Sequence, residues 1–373
     1  SKMIYLDNAA TTKMYEGAVD VYKKYACQSF FNPSAGYNKA IAVSKDLDKV
    51  RQQILNKLGA NGNIIFTSGA TESNNLAIYG NKRNGKWEYV FSEGEHPSVY
   101  NIAQDLQNQG FVVHIVKLMP NGQVDYDQLE KVVNEKTRII SVMHVSNETG
   151  AINDIPKIDH IRQKHCPKAL LHVDGVQAFC KLDYNIWDAN IDLYTISSHK
   201  FHGPKGVGAL YVKNISPLKN IVFGGGQEGG YRSGTENVGG IMAMGYAIEH
   251  FKTKENYLYV SKLKDIMKSE LEKDEKIKVF DVGSPYILSV SFTGVNGETL
   301  MRALQDEDIF VGIGSACSTK KAGNRVLESM GLSLNEIKSH IRLSFSEDLD
   351  EKQMHYAGEK IVEVYNKILE KVK

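Results

Sequence analysis

The fold of this chain is decided by residues 169–206, which read ALLHVDGVQAFCKLDYNIWDANIDLYTISSHKFHGPKG. Two short apolar runs, Ala169–Val173 and Leu193–Ile196, are each followed by polar residues. Asp174 follows the first run, and Lys200 lies just beyond the second. Short apolar runs that alternate with helical patterns predict βαβ units around a mostly parallel sheet. Because the carboxyl ends of parallel strands meet at one edge, Asp174 and Lys200 are expected to face one crevice.

The same alternation continues on both sides of this stretch and predicts the α/β fold class. Further strands are expected at residues 63–67, 88–92, 112–117, 138–145, 287–292 and 340–345. Helices are expected at residues 40–58, 73–79, 240–271 and 351–372. Because the pattern changes near residue 255, we expect a larger domain at residues 1–254 and a smaller C-terminal α/β domain at residues 255–373.

The composition limits the class of protein. The chain has 373 residues, of which 42% are hydrophobic and 24% are charged, as is typical of a folded globular protein of two or three domains. Lys and Arg number 45 against 44 Asp and Glu. The formal net charge of +1 provides no field that would attract a polyanion, so nucleic acid is not an expected partner.

The apolar segments and the cysteines bear on the compartment. The longest uncharged apolar stretch, residues 238–248, is too short to span a bilayer, and residues 1–12 lack the pattern of a signal peptide. Four cysteines without a CxxC spacing are typical of reduced thiols. We therefore expect a cytoplasmic protein without a membrane segment.

Asp174 and Lys200 together suit one kind of cofactor chemistry. A buried carboxylate is costly unless it meets a cation, and a pyridinium nitrogen is such a cation. A lysine amine that attacks an aldehyde needs a lowered pKa. A carboxylate and an amine are thus the pair that pyridoxal phosphate (PLP) requires, although an Asp–Lys salt bridge is the alternative. His199 and His202 lack a third ligand, so no metal site is expected.

Residues 67–73, Thr-Ser-Gly-Ala-Thr-Glu-Ser, join a predicted strand to a predicted helix. Small residues at the start of that helix allow backbone N–H groups to converge on a phosphate, and the Thr71 hydroxyl adds a donor. A plain helix cap by Ser68 or Thr71, with Glu72 nearby, explains the same letters. Ser197 is a further candidate for a phosphate contact.

Three more polar residues are candidates for contacts with the ring of such a cofactor. His96 follows a predicted strand, where a flat imidazole can stack on an aromatic ring. Asn147 and Gln177 are neutral donors that could reach a ring oxygen. An ordinary loop role is the alternative for each residue.

Taken together, the motifs resemble the cysteine desulfurases of the NifS/IscS type, within the class V aminotransferases of PLP fold type I. The resemblance is carried by YLDNAATT at 5–12, NPS at 32–34, FTSGATESN at 66–74, EH at 95–96, HVDGVQ at 172–177, SSHKFHGPKGV at 197–207, GGGQE at 224–228, RSGT at 232–235, GSACS at 314–318 and IRLS at 341–344. It implies a large domain with a mainly parallel seven-stranded sheet and a smaller C-terminal domain that carries a catalytic cysteine loop. Residues 1–15 are expected to pack on the smaller domain.

The resemblance also implies roles for individual residues. Lys200 is expected to bind PLP covalently, Asp174 to pair with the pyridine nitrogen, and His96 to stack on the ring and transfer protons. Gln177 and Asn147 are expected near the phenolic oxygen of the ring. The expected phosphate ligands are Ala70, Thr71, Ser197 and His199, together with Thr235 from the other subunit of a homodimer.

Cys317 distinguishes members within this family. It lies in VGIGSACSTKKAG at 311–323, where small residues suit a thiol that travels between two positions and the following lysines favour the thiolate. A structural cysteine packed as a small hydrophobe is the alternative. Arg342, in a predicted strand, is a natural bidentate clamp for a substrate α-carboxylate, together with Asn147. A surface arginine is the alternative for Arg342.

The motifs predict a PLP-dependent L-cysteine desulfurase that forms L-alanine and a persulfide on Cys317. The sulfur is expected to pass to an acceptor protein for iron–sulfur cluster assembly or for thiolation of tRNA or a cofactor. The alternatives are a selenocysteine lyase, another PLP β-elimination lyase, or a non-catalytic dimer that binds a sulfur carrier. Two segments depart from the family pattern: the basic residues after Cys317, and Ser346-Glu347-Asp348, which stands where a glycine is usual.

Overall fold

The computed structural model describes residues 3–313 and 322–373. This part of the chain contains the strands β1 (Ile4–Leu6), β2 (Asn63–Thr67), β3 (Glu88–Ser92), β4 (Val112–Val116), β5 (Thr137–Met143), β6 (Leu170–Asp174), β7 (Leu193–Ser197), β8 (Gly208–Val212), β9 (Ile277–Phe280), β10 (Ile287–Phe292), β11 (Ile309–Val311) and β12 (His340–Ser344). Its α-helices are α1 (Glu16–Cys27), α2 (Asn38–Leu58), α3 (Ala70–Tyr79), α4 (Pro97–Asn108), α5 (Tyr126–Val132), α6 (Ile155–His165), α7 (Val238–His250), α8 (Thr253–Leu271), α9 (Gly297–Gln305), α10 (Ala322–Ser329), α11 (Leu334–Lys338) and α12 (Glu351–Lys371).

The largest sheet has seven strands in the order β2-β8-β7-β6-β5-β3-β4. Neighbouring strands are parallel except where β8 pairs with β2 and β7. Strands β7 and β8 are buried along their whole length, as expected when helices cover both faces of a sheet. The predicted α/β class with a mostly parallel sheet is confirmed.

The C-terminal part of the chain forms a separate antiparallel sheet in the order β12-β10-β9. The N-terminal strand β1 pairs in parallel with β11, with Ile4 opposite Ile309. The chain then runs from β1 to the large sheet, where the Thr12 N–H donates to the backbone oxygen of His199 at 3.0 Å. Strands β1 and β11 form their own two-stranded sheet, and the Ala9 N–H donates to Ser344 Oγ of β12 at 2.8 Å. The N-terminal segment therefore contacts both the seven-stranded and the antiparallel sheet.

The helix expected at residues 240–271 is wrong, because two helices occupy this region. Helix α7 ends at His250, and α8 begins at Thr253. Phe251, between them, is buried and has an extended backbone with φ −78° and ψ 110°. The apolar pattern continues through the break, but packing of Phe251 into the core ends the first helix.

Within residues 3–313 and 322–373, none of the helices combines the length and the apolar composition needed to cross a membrane. The same residues contain no group of three or more His, Cys, Asp or Glu side chains that could hold a metal ion. Cys27, Cys166 and Cys180 are free thiols.

Candidate active site

A cavity of about 630 Å³ lies at the carboxyl ends of β6 and β7. Its volume is in the range of pockets that bind small molecules and cofactors. Thr235 is exposed and does not line this cavity, and Cys317 lies outside the described residues. The other predicted site residues line it together: Ala70, Thr71, His96, Asn147, Asp174, Gln177, Ser197, His199, Lys200 and Arg342.

Lys200 ends a short 3-10 turn, Ser198–Lys200, directly after β7. Its Nζ donates to the backbone oxygens of Ala9 at 2.6 Å and Ala10 at 2.9 Å. Burial, reinforced by the positive charge of Arg342, lowers the pKa of Lys200 to about 7. A substantial unprotonated fraction is therefore present at neutral pH, as suits an amine that attacks an aldehyde or accepts a proton.

Asp174 ends β6 and is 2% exposed. Its Oδ1 accepts a hydrogen bond from the Val176 N–H at 3.1 Å, and its Oδ2 accepts one from Nδ2 of Asn74 at 3.2 Å. Both donors are neutral, and burial raises the pKa of Asp174. Among the described residues Asp174 forms no ion pair with Lys200, so the salt-bridge alternative is wrong. A carboxylate with this donor set suits a cationic ligand.

His96 precedes α4 as its N-terminal cap, and Pro97 occupies the first helical position. The ring Nδ1 accepts from the backbone N–H of Ser98 at 3.1 Å and lies 2.8 Å from Ser98 Oγ. Because a backbone N–H only donates, Nδ1 is unprotonated and the neutral ring carries its proton on Nε2. Desolvation within the cleft lowers the pKa of His96. The ring lines the cavity mainly in its neutral form at neutral pH.

The start of α3 forms the part of the cavity expected to hold a phosphate. Gly69 precedes the helix with a φ of 149°, and no side chain caps α3. Glu72 instead accepts from the Ser68 N–H at 2.9 Å, so the helix-cap alternative is wrong. The first-turn N–H groups at Ala70 and Thr71 and the helix dipole favour an anion at this position.

Ser197 and His199 bring further polar groups to the cavity from the end of β7. Nδ1 of His199 lies 3.0 Å from the hydroxyl oxygen of Thr11. Burial lowers the pKa of His199 to about 4, so the ring provides a neutral donor rather than a charge. Lys205 and Gly206 also line the cavity, although they were not predicted as site residues.

Arg342 reaches the cavity from β12. Its Nη2 donates to Asp7 Oδ1 at 3.0 Å, and its Nη1 donates to the backbone oxygen of Asn147 at 2.8 Å. Nε is buried without a hydrogen-bond partner among the described residues. An unsatisfied buried donor is costly, and a carboxylate is the group that a guanidinium binds best. The surface-arginine alternative is wrong, since Arg342 is 5% exposed.

Gln177 and Asn147 take different positions in the site. The Gln177 amide donates from Nε2 to the backbone oxygen of Ala9 at 3.0 Å, and its Oε1 accepts from Lys181 at 3.4 Å. Asn147 offers its backbone oxygen to Arg342. Gln177 is therefore held by protein partners, and Asn147 contacts the guanidinium that is expected to bind substrate.

Asn74 and Ser98 are polar residues beside the cavity that the sequence analysis did not identify. Asn74 lies one helical turn beyond Ala70, and its Nδ2 donates to both Asp174 and Ser98 Oγ, the latter at 2.9 Å. The sequence signal for this role was a polar residue on the face of α3 that packs against the sheet.

Arg325 is a further residue that sequence reasoning missed. Its guanidinium lies 3.7 Å from the centroid of the Tyr100 ring, and it donates to the backbone oxygens of Glu93 and Glu95, the latter at 2.9 Å. These contacts join α10, which follows residues 314–321, to the turn that carries His96. Partners this far apart in sequence leave no local pattern.

Comparison with known proteins gives a consistent result. The profile of the aminotransferase class-V family matches residues 4–356. The cysteine desulfurase IscS of Buchnera aphidicola subsp. Acyrthosiphon pisum is 36% identical over 370 residues, which cover 95% of this chain and 90% of that protein.

Solved structures agree with the sequence matches. A NifS-like protein has a TM-score of 0.92 and 30% identity, covering 98% of this chain and 100% of its own. The structure of SspA in complex with cysteine has a TM-score of 0.82 and 32% identity, covering 92% of this chain and 99% of its own. The predicted fold type is confirmed by these similarities.

Proposed function

This chain belongs to the class-V aminotransferase family, and on that premise we propose that it acts as a PLP-dependent L-cysteine desulfurase. The resemblance drawn from the sequence motifs is confirmed by the family match over residues 4–356. PLP dependence is a property of this family, so the cofactor prediction is confirmed with it. The observation that carries the proposed activity is the convergence of Lys200, Asp174 and His96 on one cavity that includes the start of α3.

The donor set of the cavity fits PLP. We assign the Lys200 amine to the aldehyde, the Asp174 carboxylate to the ring nitrogen and the His96 ring to the face of the pyridine. When bound, PLP withdraws electrons from the substrate Cα and so stabilises the charge left by proton removal. Gln177 and Asn147 are assigned to the surroundings of the phenolic oxygen. The residues assigned to the phosphate are Ala70, Thr71, Ser197 and His199.

Lys200 can accept a proton from the substrate, and His96 can donate a hydrogen bond beside it. An Nζ with a pKa of about 7 can accept the proton from the substrate Cα at neutral pH. The neutral His96 ring carries a proton on Nε2, on the side away from Ser98. It can therefore donate a hydrogen bond from Nε2 into the cavity, while Nδ1 keeps the ring in place.

Arg342 is assigned to the α-carboxylate of the substrate. Asp7 accepts from Nη2 and the backbone of Asn147 accepts from Nη1, so the guanidinium is held in one orientation. Arg342 lines the cavity, and a carboxylate is the anion that a guanidinium binds best. Binding of the carboxylate by Arg342 fixes the Cα of the substrate relative to Lys200.

Sulfur transfer is assigned to Cys317. Its thiolate attacks the sulfur of the substrate, so a sulfur–sulfur bond forms and the Cβ–S bond breaks. The electron pair of the broken bond stays on the substrate Cβ, which takes up a proton. The remaining amino acid is then released as L-alanine. The persulfide on Cys317 is then available to an acceptor thiol.

We further propose a homodimer of two-domain subunits that passes sulfur to an acceptor protein in the cytoplasm. Thr235 is exposed, as a residue that reaches the phosphate of a second subunit in a homodimer would be. The seven-stranded sheet and the antiparallel sheet support a division into residues 1–254 and 255–373, with β1 pairing across it to β11. Free thiols at Cys27, Cys166 and Cys180 support a reducing compartment such as the cytoplasm. The acceptor is a protein of iron–sulfur cluster assembly or of thiolation.

The test is release of alanine from L-cysteine by PLP-loaded protein under reducing conditions. We expect turnover by the parent protein, almost none by Cys317→Ser, and parent-like turnover by Cys27→Ser. Cys27 is the matched control because it is an exposed thiol at the end of α1.

Two outcomes would contradict the proposal. Full alanine release by Cys317→Ser would remove Cys317 from the reaction. Failure of the PLP-loaded parent with cysteine, combined with turnover of selenocysteine, would favour a selenocysteine lyase.

A further inference from the structure

A row of polar side chains lies buried behind Asp174, between the seven-stranded sheet and α3. Ser141 on β5, His172 on β6, Thr195 on β7 and Asn74 on α3 are all 0% exposed. The register brings them together, because Ser141 lies opposite His172 and Asp174 lies opposite Thr195. His172 and Asp174 are two residues apart and so share one face of β6. Polar groups in such a core must be hydrogen-bonded or they destabilise the fold.

These side chains form one continuous series of hydrogen bonds that ends at Asp174. Ser141 Oγ lies 2.7 Å from His172 Nδ1, and His172 Nε2 lies 2.9 Å from Thr195 Oγ1. Thr195 Oγ1 lies 2.7 Å from Asn74 Oδ1, and Asn74 Nδ2 lies 3.2 Å from Asp174 Oδ2.

The position of every proton in the series follows from the Asp174 end. A carboxylate only accepts, so Asn74 turns its NH₂ group toward Asp174 and its oxygen toward Thr195. That amide oxygen also only accepts, so Thr195 donates its hydroxyl proton to it and accepts from Nε2 of His172. Burial lowers the pKa of His172 to about 3, so the ring is neutral. Its Nδ1 therefore accepts from the Ser141 hydroxyl.

The second N–H of the Asn74 amide is linked to His96 by hydrogen bonds through Ser98. Asn74 Nδ2 lies 2.9 Å from Ser98 Oγ, which lies 2.8 Å from His96 Nδ1. Because Nδ1 already accepts from the Ser98 backbone, the Ser98 hydroxyl also donates to it and accepts from Asn74. The two protons of one amide thus serve two different groups of the cavity.

We propose that Asn74 is a positioning residue that holds Asp174 as a charged carboxylate and His96 as its Nε2–H tautomer, and that Thr195, His172 and Ser141 fix the orientation of Asn74. The inference rests on the proposed function, which requires Asp174 to be charged beneath a cationic ring. Every bond in the series directs its positive end toward Asp174, so the bonds reinforce one another without adding a net charge.

The direction of the series can be measured in the unmodified holoprotein by nitrogen-15 NMR of labelled histidine. We expect His172 to carry its proton on Nε2 and to stay neutral from about pH 6 to about pH 9. Loss of the corresponding signals in His172→Gln assigns them. A proton on Nδ1 of His172 would overturn the proposal, because Thr195 would then donate to His172 and could not donate to Asn74.

Variants of Thr195 test the effect on the cofactor site. Thr195→Val keeps the shape of the side chain and removes the hydroxyl, so the dissociation constant of PLP is expected to rise roughly three- to tenfold. Thr195→Ser keeps the hydroxyl and should bind PLP within about twofold of the parent. Thr137→Val is the matched control, because Thr137 is buried on β5 outside the series.

Equal PLP affinity in the parent and in Thr195→Val would overturn the proposal, and so would the same loss in Thr137→Val. If Thr195→Val does not fold, the tautomer of His172 in the parent decides. Neither measurement uses turnover of cysteine. Failure of the desulfurase assay can therefore be distinguished from failure of this inference.

Discussion

Asp174, which is buried, and Glu347, whose side chain is 18% exposed, are two carboxylates that the chain stabilises in different ways. Oε1 of Glu347 lies 2.8 Å from Nε2 of His202 and accepts from the Tyr15 hydroxyl at 3.1 Å. Nδ1 of His202 lies 2.7 Å from the backbone oxygen of Lys13. Both oxygens only accept, so both ring nitrogens donate and His202 is an imidazolium. Glu347 therefore has a cation within the protein, whereas the hydrogen-bond donors to Asp174 are neutral.

The His202–Glu347 ion pair therefore has a structural role, whereas the charge of Asp174 belongs to the candidate active site. Glu347 follows β12 and His202 lies two residues after Lys200, so their ion pair ties the C-terminal sheet to the Lys200 turn. Both charges of this ion pair are supplied by the chain itself. Under the proposed function, the cationic partner of Asp174 is the ring of the cofactor. Substitutions at Glu347 should therefore lower the free energy of unfolding, and substitutions at Asp174 should lower the rate of alanine release.

Asp174→Asn is expected to have the largest effect. The rate of alanine release from L-cysteine should fall about a thousandfold, as when one preorganised electrostatic partner is removed from other enzymes. The free energy of unfolding of the cofactor-free protein should fall less than in Glu347→Gln, because removal of a buried charge offsets the loss of one acceptor toward Val176 or Asn74. Steady-state assays measure the rate of alanine release, and urea unfolding measures the free energy of unfolding. Near-normal turnover by Asp174→Asn would contradict the role assigned to Asp174.

Glu347→Gln is expected to act on stability instead. It leaves a buried imidazolium without its counterion, so the free energy of unfolding near pH 6 should fall by about 3 kcal/mol. Asp348→Asn is the matched control, because Asp348 is half-exposed and lies 3.9 Å from His202. This control should change the free energy of unfolding by less than about 1 kcal/mol. Equal losses in urea unfolding of the two variants would contradict the prediction.

The contribution of the His202–Glu347 pair should depend on pH. Burial alone would lower the pKa of His202 and raise that of Glu347, but their hydrogen bond, their mutual attraction and neighbouring groups together outweigh burial and shift each pKa in the opposite direction. The stability from His202 is present below its ordinary pKa of 6.5 and is lost as pH rises through the raised value. The stability from Glu347 is present above 4.5 and is lost as pH falls through the lowered value.

The pair should therefore stabilise the fold most in the window between these limits. Urea unfolding of the parent and of Glu347→Gln across the pH range measures this directly. The difference in unfolding free energy should be largest near pH 6 and shrink in both directions. A difference that grows toward alkaline pH would show that His202 is not the charged partner.

Lys181→Met is expected to have the smallest effect and tests whether charges near Glu347 reach the site. Burial is the main cause of the Lys200 pKa of about 7, and the positive charges of Arg342 and Lys181 add to it. Without Lys181, the midpoint for labelling of Lys200 by an amine-reactive reagent should move to higher pH. Mass spectrometry of the cofactor-free protein measures this midpoint. Lys213→Met is the control, since Lys213 lies over Trp187, and an equal shift there would contradict the prediction.

The sequence predicted the sheet and most of the cavity because both follow from local patterns. Strands β2 and β3 begin and end at the predicted residues, since each is a short apolar run between turn residues. Asp174 and Lys200 were identified because functional residues of parallel sheets follow the strands directly. These signals need no knowledge of tertiary contacts.

The networks behind the site could not be predicted in this way. Asn74, Thr195 and His172 meet only after two strands and a helix have packed, and each residue alone is ordinary. Glu347 was noted as a departure from the family pattern, but its pairing with His202 depends on how the two sheets meet. The roles assigned to Cys317 and Thr235 remain predictions.

The most direct test of the pairing between Asp174 and the cofactor is the protonation state of the cofactor ring nitrogen in the holoprotein. PLP labelled with nitrogen-15 in the ring reports it by NMR. We expect a protonated ring nitrogen at neutral pH in the parent and in Glu347→Gln, and an unprotonated one in Asp174→Asn. An unprotonated nitrogen in the parent, or a protonated one in Asp174→Asn, would contradict the claim that Asp174 is completed by the ring.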